Sequence, residues 1–194
     1  VDLIIVILGI TIAFNLNAWK EGRQDKSEQR AYLQSLLEES QENQAALQAS
    51  LEFCRKQRRN VDTLLKVLNS SESEAAKVKT YALRMLLTSG GLRYTSAMDN
   101  ITYSGDFSLI GSRDLRKQVV TTYRYFEELE GLEELTLGFV RSYFGPILLK
   151  NREPDQLKSE AFRTEMAYLA SIYAGSIQQQ ANGYEQALAL VEEL

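Results

Sequence analysis

Two features of the composition restrict the chemistry that the side chains of this chain support. Among its 194 residues there is no histidine, and Cys54 is the only cysteine. Histidine is the commonest general base and metal ligand, and a single thiol forms neither an internal disulfide nor a cysteine zinc site. Nucleophile pairs that need histidine are therefore excluded, and we expect a protein that is not an enzyme and that holds no metal or cofactor.

A basic cluster is the clearest group of like charges, formed by Arg55, Lys56, Arg58 and Arg59. One interpretation is a patch for an anionic partner. The other is a solvated helix face. We favour the second, because these residues spread around a helix, the chain has a net charge of −4, and no aromatic residues interleave with them as on a single-strand binding surface. We expect no nucleic-acid partner.

Two further groups of residues each have a functional and a structural interpretation. An acidic stretch would need histidine to resemble a helical carboxylate metal site, so we expect it to be solvated; it consists of Glu127, Glu128, Glu130, Glu133 and Glu134. Six tyrosines either line a ligand pocket between helices or, as we expect, belong to a core with their hydroxyls at its rim. They are Tyr94, Tyr103, Tyr123, Tyr125, Tyr143 and Tyr168.

The N-terminal segment has the composition of a membrane-spanning helix. No charge interrupts the run from Leu3 to Phe14, and the 17 residues from Leu3 to Trp19 lie between Asp2 and Lys20. This length is at the lower edge of what crosses a bilayer core, and Trp19 is placed as an interfacial anchor. A buried core helix and a signal-peptide core are the alternatives; no small-residue cleavage site follows the run.

Small or amide residues recur every fourth position within this segment. Gly9, Ala13 and Asn17 share one helix face. Such spacing lets two helices approach closely in lipid, and an amide can donate a hydrogen bond across the contact. We predict that this stripe faces another protein helix, although a lipid-facing helix with an incidental glycine is the alternative.

The rest of the chain has the pattern of a helical bundle. Neither glycine nor proline occurs from Arg23 to Ser89, so the anchor is expected to continue as one helix to about Asn69. Its apolar positions alternate steps of three and four, which predicts a seam that packs against other helices. The predicted seam comprises Leu33, Leu37, Ser40, Gln44, Leu47, Leu51, Cys54, Arg58, Val61, Leu65 and Leu68, widened by Leu36, Phe53 and Leu64.

Capping and turn residues divide the remaining sequence into further helices. Ser71 with Glu74 resembles a capping box for a second helix that ends near Thr88. Later helices are expected at residues 96–104, 112–143 and 159–194, with a three-anchor turn at 106–111. Gly145-Pro146 should break or kink the fourth helix, and a loop is expected at residues 151–155.

Two stretches resemble an uncharacterised family of bacterial single-pass membrane proteins. The first is ILGITIAF at residues 7–14 with Asn17, Trp19 and the charged helix that follows, where Asp2 takes the place of the usual glutamate. The second is ITYSGDFSLI at residues 101–110 with Leu115 and Tyr123. The resemblance covers roughly the first 130 residues. It implies an N-terminal span with the bulk outside the cytoplasm, and it implies no activity.

These observations predict an all-α protein with a transmembrane anchor at residues 1–22 and an extramembrane helical bundle at 23–194. The expected function is a membrane-anchored, non-enzymatic interaction or scaffold protein, as an accessory subunit of a membrane complex. Its expected partners are the lipid bilayer and either another membrane protein or a second copy of itself. The expected location is the bacterial inner membrane with a periplasmic bulk, and the alternative function is an extracytoplasmic ligand-sensing domain.

Overall fold

The computed structural model describes residues 2–70, 74–88, 90–91, 93–105 and 107–194; the side chains of residues 2–10, 18, 21, 108 and 109 lie outside this description. Within it, every regular element is helical, which confirms the all-α prediction. The α-helices are α1 (Asp2–Asn69), α2 (Ala75–Arg84), α3 (Ser96–Ser104), α4 (Arg113–Phe139), α5 (Gly145–Lys150), α6 (Pro154–Lys158) and α7 (Glu160–Glu192), with a 3₁₀ helix at Phe107–Ile110 and a π-helical turn at Val140–Phe144.

Helix α1 is the axis of the molecule. Its 68 residues extend for about 100 Å at the rise of an α-helix. Helix α7 runs antiparallel to it, since Glu192 accepts a hydrogen bond from Gln44 while Arg163 reaches the carbonyl of Leu68. Helix α4 packs on α7. It runs parallel to α1, since Tyr123 contacts Glu39 while Leu132, further along α4, contacts Gln180 beside Cys54. The core lies between these three long helices.

The buried seam of α1 agrees with the predicted one at most positions and departs from it at three polar residues. It is as predicted at Leu36, Ser40, Leu47, Leu51, Cys54, Val61, Leu64 and Leu68. Asn43, Ser50 and Gln57 were not predicted and are buried as well. The predicted Leu37 is 51% exposed, and the predicted Arg58 is exposed too. The departure has a physical reason, because Asn43 and Gln57 form hydrogen bonds with backbone groups at the end of α2 and in the segment between α2 and α3.

Helix α2 is shorter than predicted. It begins after Glu74, whose side chain makes no cap hydrogen bond, and the predicted cap Ser71 lies outside the described residues. It ends at Arg84 because the buried Gln57 amide donates to the carbonyls of Arg84 and Leu87, at 2.9 and 2.8 Å. Leu86, which lies beyond this end, is 37% exposed.

The Gly145-Pro146 pair changes the helix geometry without ending the helix. Pro146 has no N–H for the regular α-helical bond. The chain accommodates it with the π-helical turn, in which the Gly145 N–H donates to the carbonyl of Val140, and then continues as α5. The loop expected at residues 151–155 is also partly wrong, since α6 begins at Pro154.

Three further helix ends agree with signals in the sequence. Ser112 and Ser159 cap α4 and α7 by accepting from the N–H groups of Leu115 and Phe162. Gly105 ends α3 with φ of 73°, a conformation that glycine adopts at little cost.

Candidate functional site

The N-terminal part of α1 projects from the bundle as a single helix. Every described side chain from residue 11 to residue 28 is exposed. Gln29 is the first half-buried residue, and its amide lies 3.3 Å from where a Cβ on Gly111 would be. The stretch before it, residues 2–28, corresponds to about 40 Å of helix. The described side chains of residues 11–28 are not packed on the bundle, and most helices in proteins owe their stability to tertiary packing.

Large apolar side chains on this projection are exposed. Ile12, Phe14, Leu16 and Trp19 are 56%, 76%, 58% and 61% exposed. Ile12, Leu16 and Trp19 share one face by their spacing of four and three residues, and Phe14 lies on the opposite side. Apolar residues on both sides of an isolated helix are typical of one that contacts lipid or several partners.

Among the residues that the structure describes, none of the helices is both apolar enough and long enough for a membrane crossing. The predicted span from Leu3 to Trp19 includes residues 3–10 and Ala18, whose side chains lie outside that description. The span therefore stays a prediction, as does the division at residue 22, which α1 crosses without interruption.

The predicted packing stripe is only partly described. Gly9 lies outside the described side chains, while Ala13 and Asn17 are exposed. Trp19, the predicted interfacial anchor, is also exposed, and the guanidinium of Arg23 stacks over its ring at 4.6 Å from the centroid. An aromatic ring paired with a cation suits the boundary between hydrocarbon and headgroups. The pairing of the stripe with another helix stays a prediction.

Two of the four side chains in the basic cluster at residues 55–59 form ion pairs with other described residues. Arg55 forms an ion pair with Glu185 at 3.0 Å, and Arg58 forms one with Asp62 at 3.3 Å. Lys56 and Arg59 flank a shallow hollow beside Phe53. All four residues are exposed, which agrees with a solvated face, and its use as an anionic-partner patch stays a prediction.

A buried carboxylate joins α1 to α3 and α4. Glu39 is 4% exposed and accepts hydrogen bonds from the Ser96 hydroxyl at 2.7 Å, the Ala97 N–H at 2.8 Å and the Tyr123 hydroxyl. Burial, together with this carboxylate, raises the pKa of Tyr123 well above its usual range. The adjacent Tyr32 hydroxyl is buried without a hydrogen-bond partner among the described residues, and burial followed by the charge of Glu39 raises its pKa to about 12.

Two further polar contacts hold the segment between α2 and α3. The Asn43 side chain accepts from the Tyr94 N–H at 2.7 Å and donates to the Tyr94 carbonyl at 2.8 Å. Arg93 forms a bidentate pair with Glu133 at 2.7 and 3.0 Å, and the Tyr184 hydroxyl donates to the same carboxylate at 2.5 Å. These bonds satisfy buried polar groups. The network therefore joins α1, α4 and α7 to the segment between α2 and α3.

Cys54 lies at the centre of the bundle and is fully buried. Its Sγ is 3.8 Å from the amide oxygen of Gln180. Burial and then the charge of Glu133 raise the pKa of the thiol to about 12. A protonated, inaccessible thiol is a poor nucleophile, so Cys54 is a core residue.

An exposed apolar face lies on α4 and the π-helical turn. It surrounds an open hollow of about 900 Å³ lined by Gly131, Leu135, Gly138, Phe139 and Tyr143 among others. Leu135 is 72% exposed and Tyr143 is 52% exposed. A Cβ added to either glycine would meet no atom within 4 Å, so the fold of this chain does not require glycine at these positions. We call this surface the α4 face.

The tyrosine and glutamate groups from the sequence do not form single sites. Of the six tyrosines only Tyr123 is buried and Tyr125 is half-buried, so the expectation of a tyrosine-rich core is wrong for the others, which are exposed: Tyr94, Tyr103, Tyr143 and Tyr168. Glu133 is largely buried against Arg93, unlike the other four glutamates of its stretch, which are exposed.

Sequence reasoning missed Glu39, Asn43 and Gln57, which are polar residues at core positions. One signal was present, since Leu36, Asn43, Ser50, Gln57 and Leu64 recur at steps of seven residues. Comparisons with protein-family models, with curated proteins and with solved structures each give no match for this chain.

Proposed function

We propose that this protein is a membrane-anchored interaction protein. In this proposal the N-terminal part of α1 crosses the bilayer, and the helical bundle presents a binding face to another membrane protein or to a second copy of itself. The observation that carries the proposal is the solitary projection of α1 before Gln29, with Ile12, Phe14, Leu16 and Trp19 exposed. In a bilayer, lipid would cover those side chains together with the rest of the uncharged run from Leu3 to Phe14.

The α4 face is the proposed binding surface of the bundle. Exposed glycines in a helix interior cost about 0.5–1 kcal/mol each relative to alanine. At Gly131 and Gly138 no described atom would lie within 4 Å of an added Cβ, so close packing among the described residues does not explain these glycines. Small residues beside the exposed Leu135 and Tyr143 give a partner helix room to approach closely. The π-helical turn that ends this face supports the same proposal, because such turns are frequent at functional sites.

A ligand-sensing domain is less well supported. The hollows beside Phe53 and on the α4 face are open depressions in the surface. Ligand sites bury most of their ligand. Tyrosines proposed for such a site lie on separate elements and are mostly exposed.

Purification of the full chain from native membranes in mild detergent tests the interaction function. We expect an assembly larger than the monomer, which Leu135→Lys dissociates because it places a charge in the proposed contact. Leu149→Lys is the matched variant, since Leu149 is 63% exposed on α5 and does not line the hollow of the α4 face. A monomeric wild-type protein without cross-linked partners would contradict the proposal, and equal loss in both variants would contradict the choice of face.

A further inference from the structure

The base of the bundle, where α1 emerges from it, carries a group of basic side chains. Lys26 and Arg30 flank Gln29 on α1, and Gln29 contacts Gly111. Helix α4 starts two residues after Gly111 and contributes basic residues in its first turns. We call the resulting group the basal collar: Lys26, Arg30, Arg113, Arg116 and Lys117.

The collar residues have no partner for their charge within the described part of the chain. None of them takes part in the ion pairs or side-chain hydrogen bonds found there, and Arg116 alone is half-buried. Leu115 packs on the core, which directs Arg113 and Lys117 away from it, because they are four residues apart on the opposite face. The positive N-terminal end of the α4 dipole adds to the same potential.

Acidic residues near the collar reduce this charge and do not cancel it. Asp25 and Glu28 lie beside it on α1, Asp114 lies within it, and Glu193 lines a groove with Lys117. Residues 20–30 and 113–117 together with Glu193 contain seven basic side chains and five acidic ones, in a chain whose net charge is −4. The base is therefore positive while the protein as a whole is negative.

The position of the collar relative to the anchor selects its ligand. Gln29 follows Trp19 by ten residues, which is about 15 Å along a helix. The headgroup layer beyond the hydrocarbon is about 5–7 Å thick, and the Debye length at physiological salt is about 8 Å. Given the proposed membrane anchor, on which this inference rests, the collar lies within the field of the headgroups.

We infer that the basal collar binds anionic phospholipid headgroups of the leaflet that α1 enters, and that this contact holds the bundle close to the membrane.

Tyr103 is 97% exposed at the end of α3, and α3 runs toward this base from its Ser96 contact with Glu39. Its exposed position provides a site for a reporter of the distance between bundle and lipid.

The test uses the full chain with Tyr103→Cys labelled with a fluorescent donor, in vesicles that contain acceptor lipids. Cys54 is fully buried and should not react with the dye. The chain without the Tyr103→Cys substitution, treated with the same dye, is the control for this. Vesicles of phosphatidylcholine are compared with vesicles containing about 30% phosphatidylglycerol. We expect higher energy transfer with phosphatidylglycerol, and loss of the increase at about 0.5 M salt, where the Debye length is about 4 Å.

A charge-matched pair of variants assigns the effect to the collar. Neutralising Arg30, Arg113, Arg116 and Lys117 to glutamine should abolish the increase. Neutralising Arg55, Lys56, Arg58 and Arg59 to glutamine changes the charge equally but lies about 40 Å farther along α1, so the increase should remain.

Failure of the collar and failure of the anchor give different results. Equal transfer in both lipids, for a chain that alkaline carbonate does not extract, would overturn the collar while the anchor stands. Salt-sensitive flotation with phosphatidylglycerol vesicles alone would overturn the anchor and support the collar. Absence of flotation with either vesicle would overturn both.

Discussion

The carboxylate of Glu39 on α1 accepts a hydrogen bond from the hydroxyl of Tyr123 on α4, in a part of the core that excludes solvent from both residues. A neighbouring phenol, Tyr32, has no such bond in the described part of the chain. Of the two tyrosines beside this buried carboxylate, only Tyr123 donates a hydrogen bond to it in the described part of the chain. The carboxylate also receives bonds from Ser96 and Ala97, so it fixes the start of α3.

Removing each hydroxyl should change stability in opposite directions. Tyr123→Phe leaves a buried carboxylate with one donor fewer and should lower the free energy of unfolding by about 1–3 kcal/mol. Tyr32→Phe removes a buried hydroxyl that has no partner and should be neutral or stabilise by up to about 1 kcal/mol. Urea unfolding followed by circular dichroism measures both. Equal destabilisation by the two variants would show that Tyr32 has a partner after all.

The fold should lose stability at high pH. The pKa of Cys54 rises from 9.0 to about 12 in the folded protein and that of Tyr32 from 10.0 to about 12, both mainly because of burial. The unfolded chain therefore ionises first, so these groups contribute their full stability below about pH 9 and lose it as the pH rises toward 12. Unfolding free energies from pH 7 to 11 check this. Cys54→Ala is already destabilised by its cavity but should show a shallower decline above pH 9, and an unchanged slope would contradict the account.

Two glycines of α7 should respond differently to alanine. A Cβ at Gly183 would lie 2.6 Å from Cδ2 of Leu129, which is fully buried in α4 and has little room to move. Gly183→Ala should destabilise by about 1–3 kcal/mol through overpacking. At Gly175 a Cβ meets no atom within 4 Å, so Gly175→Ala should stabilise by about 0.5–1 kcal/mol. Thermal unfolding of the two variants side by side tests the close approach of α4 and α7, and stabilisation by both would argue against it.

Replacing the glycines of the α4 face with alanine should raise stability and weaken assembly. Gly131→Ala with Gly138→Ala should raise the free energy of unfolding by about 1–2 kcal/mol, because both positions are exposed and helical. The same double variant should weaken the assembly with the partner, because methyl groups fill the proposed contact. Unfolding and detergent sedimentation measured on one preparation report both quantities. Increased stability with an unchanged assembly would exclude this face from the interface.

Local signals in the sequence predicted much of the fold. The absence of glycine and proline from residue 23 to residue 89 predicted that α1 is continuous, and Ser112 and Ser159 marked the starts of α4 and α7. Such signals work because helix caps and helix breakers act over only a few residues. The predicted seam missed Asn43, Ser50 and Gln57 because they are polar, and hydrophobic periodicity does not select polar residues for a core. Their burial depends on the segment between α2 and α3, which is remote in sequence.

The candidate surfaces were predicted less well than the helices. Trp19 and the stripe through Ala13 could be named from composition and spacing, since membrane helices have a strong local signature. The α4 face and the basal collar could not, because they depend on which side of α4 remains uncovered and on how Gly111 meets Gln29. The sequence shows the residues but not their exposure.

Trp19 provides the most direct test of the membrane anchor, because it is the only tryptophan in the chain. The native full chain is reconstituted in vesicles whose lipids are brominated at different depths, and its fluorescence is recorded with and without aqueous iodide. We predict strong quenching by bromines near the headgroups, weaker quenching by bromines near the bilayer centre, and protection from iodide. Fluorescence that is insensitive to all brominated lipids and fully accessible to iodide would contradict the anchor.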